Sequence, residues 1–138
     1  MRFLLLAVLL LSGQALAHTA VTGIVPAAHA SVTAPTNVEI KLNEAIDLHF
    51  ATFKVYPLNV QGDKLALNRA AATLAKTALK ARNDAAQRVD QFKSGGGTTD
   101  HVVIPLKSKL APGPYVFMWR VLSADGHIVT GQSVFQVK

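Results

Sequence analysis

The chain has 138 residues, half of them apolar and only 16% charged, with a formal net charge of +6. That length supports one modest domain and leaves little room for a catalytic domain beside a separate binding domain. Cysteine is absent and methionine occurs only at Met1 and Met118, which excludes disulfides, thiolate metal sites and a Met-rich site for a soft monovalent ion.

In chain order, Met1-Arg2 precedes the unbroken apolar run from Phe3 to Leu11, then Ser12-Gly13-Gln14 and the small-residue ending Ala15-Leu16-Ala17. One positive charge, about nine apolar residues and an A-x-A end read as a secretory signal peptide over residues 1–17, too short to span a bilayer. Cleavage after Ala17 leaves 121 residues beginning at His18. Loss of Arg2 leaves 13 basic and 8 acidic side chains, a formal charge of +5.

Strand-like pieces follow. Val38, Ile40 and Leu42 alternate with Glu39, Lys41 and Asn43, and Phe53 and Val55 alternate with Thr52, Lys54 and Tyr56 before Pro57. A period of two predicts strands with one buried face. His101 to Leu106 is a shorter apolar run. Tyr115, Phe117, Trp119 and Val121 share one face, with Val116, Met118 and Arg120 on the other, and Ser133, Phe135 and Val137 share a face in the last strand. Pro and Gly turns separate the pieces, which predicts an all-β fold, a small antiparallel sandwich or barrel; the spacing does not choose between them.

Between these strands lies an Ala-rich block from Leu65 to Lys93. Leu67, Ala71, Leu74, Ala78, Ala81, Ala85, Val89 and Phe92 recur at spacings of three, four or seven, and Ser94-Gly95-Gly96-Gly97 ends the run. This predicts an amphipathic helical insertion over about 64–94, of which twenty-odd helical residues would run roughly 35 Å. Its alanine-rich stripe buries little area, so it reads as a helix laid across the β domain, a contact surface for a second chain, or a partly disordered segment. Residues 63–100 carry seven basic and four acidic groups. That excess favours an anionic surface, but no aromatics interleave with it as nucleic-acid binding requires.

Of five histidines, His18 stands out. As a first residue it offers an α-amine, with an unperturbed pKa of ~7.7, and an imidazole to one ion, a nitrogen-rich pair that favours Cu(II). The competing reading is an ordinary processed terminus. Asp125-Gly126-His127 places a carboxylate and an imidazole on one side of an extended or bulged stretch; the competing reading is a polar turn. His29 and His49 read as surface or packing residues, with His49 also able to reach a site beside the sheet, and His101 as a partner in a local hydrogen bond. No nucleophile elbow, phosphate-cradling loop or H-E-x-x-H is present.

Taken together, these pieces resemble the CopC family of periplasmic copper-binding proteins. The stretch from Leu110 to His127, with Tyr115, Trp119-Arg120-Val121, Ser123 and Asp125-Gly126-His127, is similar to the family's "L-x-x-G-x-Y-x-V-x-W-R-V-x-S-x-D-G-H". Val38 to Ile46 looks like its first core strand and "F-S-E-P-V" turn, Val25-Pro26-Ala27 and Ser31 to Pro35 resemble its early stretch, and Gly131 and Phe135 fit its last strand. The resemblance implies a Greek-key β-sandwich or barrel of cupredoxin or Ig-like type, with Cu(II) held by His18, Asp125 and His127. It also implies packing roles for Phe117 and Trp119, and a surface role for Arg120 rather than ligation. Three departures matter. Ile128 replaces a proline, Ala28-His29 replaces a glycine in the early turn, leaving open whether His29 supplements the site, and the Met-rich region of some members is absent. These imply one Cu(II) per chain and no methionine Cu(I) site. The resemblance as a whole implies a monomeric, non-enzymatic periplasmic protein that sequesters copper or delivers it to an inner-membrane transporter or another carrier. Two alternatives are a copper histidine-brace oxidative enzyme and an interaction module acting through the insertion. Intact-mass measurement of the exported chain should give the mass of residues 18–138; any other first residue removes the chelating terminus.

Overall fold

Each stretch of two-residue apolar period folds as a strand in the computed structural model, which describes residues 19–138; the expected signal peptide and His18 lie outside the described residues. The strands are β1 (Val21–Val25), β2 (Ser31–Val32), β3 (Asn37–Asp47), β4 (Thr52–Pro57), β5 (Thr98–Pro105), β6 (Gly113–Leu122) and β7 (Ile128–Val137). A 3-10 turn at Leu48–Phe50 joins β3 to β4, and one helix, α1 (Lys64–Ala78), lies between β4 and β5.

Two sheets form, in the orders β1-β3-β5 and β2-β7-β6-β4. Every neighbouring pair is antiparallel except β2 with β7. Val38, Ile40 and Leu42 of β3 face Phe53, Val55, Phe117, Trp119 and Phe135 of the other sheet in one buried core, and each buried aromatic there contributes roughly 1.5–3 kcal/mol. The molecule is therefore a two-sheet sandwich. The barrel alternative fails because no strand ladder joins β4 to β5.

The faces read from the alternation hold for β6: Tyr115, Phe117, Trp119 and Val121 point into the main core. Opposite Trp119 in the β6–β7 register sits Gly131, and a Cβ there would lie 2.3 Å from the indole, so the ring lies directly over the glycine. Val116 and Met118, on the other face, are fully buried as well. They are roofed by Leu67, Ala71, Ala75 and Ala78 of α1, which with Val134 make a second core. Asp63 starts the helix by accepting a bond from the Ala66 N–H at 2.8 Å.

The helix ends at Ala78, after 15 residues, rather than running through Lys93 as its periodicity predicts. Lys54 of β4 is the reason. Its Nζ donates to the carbonyl oxygens of Ala78 (2.8 Å) and Ala81 (2.9 Å) and to Asp84 Oδ2 (2.7 Å), taking up helix-terminal carbonyls and drawing the chain into a turn. Tyr56 Oη also donates to Asp84. Burial opposes ionisation of Asp84, but the hydrogen bonds from Lys54 and Tyr56 outweigh it and hold its pKa below the ordinary value.

From Arg88 to Phe92 the chain runs extended along the edge of β4. Val89 N donates to Val55 O (2.9 Å), Val55 N to Asp90 Oδ2 (2.7 Å), and Arg88 Nη2 to Phe53 O (3.1 Å) and Asp90 Oδ1 (2.6 Å). Gln91 N donates to Pro105 O and Lys107 N to Val89 O, so this stretch stitches β4 to the end of β5. Val89 and Phe92, read from their spacing as helix stripe, instead pack on the main core from an extended chain, with the Phe92 ring edge-on to Phe53 at 5.1 Å. Edge hydrogen bonds outweigh local helix propensity here.

Among the described residues, no helix is long and apolar enough to cross a membrane. Because the Asp90 carboxylate is fully enclosed and accepts bonds from Arg88, Val55 and Phe92, Asp90→Ala should lower stability by about 3 kcal/mol. Urea unfolding followed by Trp119 fluorescence reads the loss; a change under half that size would mean the insertion is not anchored at this point.

Candidate metal centre

The turn from Ser123 to His127 joins β6 to β7 just beyond the last paired residues, Leu122 and Ile128. Its backbone closes on itself: Ser123 N donates to His127 O (2.8 Å) and Gly126 N to Ser123 O (3.0 Å). Gly126 has φ of +86°, a left-handed conformation that side chains with a Cβ adopt only with strain. A rigid hairpin therefore presents the two residues flanking that glycine.

Asp125 is held from several directions. Its Oδ1 accepts from the Ser123 hydroxyl and from His127 N (3.1 Å), and its Oδ2 pairs with His127 Nδ1 at 3.0 Å. The Asp125 side chain is 9% exposed, whereas the His127 ring is 65% exposed, so the carboxylate anchors an imidazole that stands out from the turn. The Ser123 hydroxyl above all, then His127, holds the Asp125 pKa well below the usual carboxylate range. An ionised carboxylate on Nδ1 sets the tautomer that presents a lone pair at Nε2, the arrangement used to orient metal-binding histidines. The pair can serve a metal as two ligands, or as one ligand and its orienting anion.

Beside this turn lies the start of the described chain. Thr19 Oγ1 and Ala124 N (3.2 Å) both donate to Glu44 Oε1. Ala20 N donates to Asn43 Oδ1 (2.8 Å), and Asn43 N returns a bond to Ala20 O (2.9 Å). One carboxylate oxygen thus bridges a buried Thr19 to the turn that carries Asp125 and His127. Glu44 reaches this position because the β3–β5 register breaks between Lys41 and Ile46, where an irregularity re-aims side chains. Sequence reasoning did not select Glu44 as a functional residue; its place in the stretch resembling "F-S-E-P-V" was the available signal.

Of the expected ligands, Asp125 and His127 are brought together, and His18 lies outside the described residues. The other histidines are engaged elsewhere. His29 Nε2 lies 2.9 Å from Asn68 Oδ1 of α1, His49 Nδ1 3.1 Å from Asp47 Oδ1, and His101 Nε2 2.9 Å from Glu39 Oε2. Met118 is a fully buried core residue. Among the described residues, no three or more His, Asp, Glu or Cys side chains converge on a point where they could hold a metal.

The description of the CopC domain matches residues 21–138. Copper resistance protein C of Pseudomonas syringae pv. tomato is 30% identical over 130 residues, covering 94% of this chain and 88% of that protein. Protein YobA of Escherichia coli (strain K12) is 30% identical over 124 residues, 88% of this chain and 80% of its own. Among solved structures, CopC from Methylosinus trichosporium OB3b superposes with a TM-score of 0.54 at 21% identity, covering 88% of this chain and 94% of that one. PcoC, a methionine rich copper resistance protein from Escherichia coli, does so with a TM-score of 0.58 at 22% identity, covering 88% and 100%. At those identities the two structures speak to the fold alone.

Because the Ser123 hydroxyl is the leading cause of the low Asp125 pKa, Ser123→Ala should raise that pKa toward the ordinary value. Carboxyl ¹³C shifts followed against pH measure it, and an unchanged titration would assign the effect to His127. The sign for stability follows: the folded pKa is depressed, so the contribution is present above the unfolded value and is lost as pH falls toward the folded one. Ser123→Ala should shift that loss to higher pH.

Proposed function

As the chain belongs to the CopC family, we propose that it is a periplasmic copper-binding protein that holds one Cu(II) through the amine and imidazole of His18 together with Asp125 and His127. In this reading, export and cleavage after Ala17 create the chelating residue immediately before Thr19, which the described fold ties to the Asp-x-His turn. The observation that carries this reading is the Glu44 bridge. His18 is peptide-bonded to Thr19, with their Cα atoms ~3.8 Å apart, and Thr19 shares an acceptor oxygen with Ala124, the residue before Asp125.

The donor set fits the ion. An amine, two imidazoles and an ionised carboxylate are nitrogen-rich and hard enough for Cu(II), with no soft sulfur ligand. The exposed His127 ring supports loading and release by ligand exchange at the surface, so copper carriage needs no general acid or base. Trp119, Tyr115 and Tyr56 are buried in the two cores and, among the described aromatics, Phe50 alone is exposed, which favours a carrier over an oxidative enzyme that binds polysaccharide on a platform of several aromatics. The ion then passes to an inner-membrane transporter or another periplasmic carrier.

Titration of the processed protein should show one Cu(II) per chain, with nitrogen-rich coordination in its electron paramagnetic resonance spectrum. One glycine added before His18, or His127→Ala, should each weaken binding at least tenfold. Glu44→Gln should weaken it while leaving the thermal unfolding of the sandwich nearly unchanged. Affinity should fall as pH drops below ~7.7, because protons compete for the amine and imidazoles. Tight binding that survives the added glycine would remove the physical basis of this assignment.

A further inference from the structure

Beside the Asp-x-His turn, the outer face of the four-stranded sheet is left uncovered. Residues Val116 and Met118 of β6 lie under α1, but two positions further along the strand Arg120 emerges past the helix end, flanked across the ladder by Thr52 of β4 and Thr130 of β7. Two clefts meet over it. One, of about 520 Å³, lies between Lys76 and Lys80 of α1 and its following turn, Arg120, and Ile128, Thr130 and Gln132 of β7. The other, of about 500 Å³, is lined by Thr52, Lys80, Arg82 and Arg120.

The charges here do not cancel. Of the acidic and basic groups lining these clefts, Asp84 is paired with Lys54, and Arg88 is paired with Asp90. That leaves Lys76, Lys80, Arg82 and Arg120, and among the described residues no ion pair joins any of them to a carboxylate. The helix dipole gives Lys76 and Lys80 a reason to sit near the end of α1, but Lys54 already occupies terminal carbonyls, and the dipole does not account for Arg120 on a strand. Four like charges gathered in a groove cost folding stability, and they focus a positive field outward. The groove also has an apolar rim: Ile128 is 55% exposed and directly follows His127.

We propose that this groove docks an acidic segment of a partner protein, one carrying several Asp or Glu residues and an apolar side chain to cover Ile128, so that the partner is held beside the metal-carrying turn. The proposal rests on the copper reading above and names the surface through which the ion is exchanged. Charge complementarity chooses the occupant. A second copy of this chain carries the same net positive charge and would be repelled. The concave shape suits a protruding peptide segment better than a flat lipid surface, and cations spread across two joined clefts span more than one small anion.

The test titrates the ¹⁵N-labelled processed protein, free of copper, with a ten-residue Asp/Glu-rich peptide containing one leucine. Saturable amide shifts are expected at residues 76–82, 120 and 128–132, with a Kd that rises with salt. Lys80→Glu/Arg82→Glu, which leaves the strands untouched, should weaken binding tenfold or more, as should Arg120→Gln. Lys109→Glu, at the opposite end of β6, should not. Equal binding of the Asn/Gln counterpart peptide would overturn the proposal, as would shifts scattered over the whole surface. Tighter saturation by citrate or by phosphatidylglycerol vesicles would overturn it in favour of a free anion or a lipid. Copper titration of the same variants separates the two readings: loss of peptide binding with copper binding intact supports the surface, while a parent protein that binds the peptide but no copper sinks only the copper assignment.

Discussion

The Lys54 ammonium is enclosed between β4 and the end of α1, where an unpaired cation would cost several kcal/mol. Three oxygens meet it: the carbonyls of Ala78 and Ala81 and the carboxylate of Asp84. Supplying them ends the helix, turns the chain back along β4, and brings Arg88 and Asp90 to that strand's exposed edge. The edge is thereby covered, which protects the sandwich from pairing with another chain. Because the helix stops at Ala78, the outer face of the sheet is roofed over Val116 and Met118 but not over Arg120. One buried charge thus shapes both the second core and the open groove next to it.

The turn that carries Asp125 and His127 depends on the other layer of the molecule. Its internal geometry is local: five residues, a left-handed glycine and a carboxylate that collects the Ser123 hydroxyl, the His127 amide and the His127 ring. Its relation to the N-terminal segment is not local. Glu44 spans 25 residues to Thr19 and 80 to Ala124, and it does so from an irregular stretch of β3 in the opposite sheet. Packing of the two sheets against each other, led by Phe53, Phe117 and Phe135, is what sets the distance that this carboxylate bridges.

Placing an exposed histidine beside an uncompensated basic groove separates two tasks. Under the proposed function the turn would select the ion by its donor chemistry, while the groove would act through a longer-ranged field that salt screens over about 8–10 Å. Because the groove lies on the outer face of the sheet and the turn at its end, either surface can change without repacking the core.

The amino-acid sequence by itself determined the five longer strands (β3 to β7), their inward faces and the chemistry of the Asp-x-His turn, because these depend on local apolar patterning and on neighbours within five positions, whereas the short β1 and β2 carried no such pattern. Val38, Ile40 and Leu42, the inward row from Tyr115 to Val121, and the pairing of Asp125 with His127 were all legible in that way. The end of α1 was not. Val89 and Phe92 repeat at helical spacing, yet they lie on extended chain, since the hydrogen bonds that Arg88 and Asp90 make to β4 outweigh propensity terms of a few tenths of a kcal/mol per residue. The choice of sandwich over barrel, the burial of Lys54 and the bridging role of Glu44 were likewise decided by tertiary structure. Each depends on groups more than 20 residues apart meeting where water is scarce, and no local pattern in the chain encodes such a meeting.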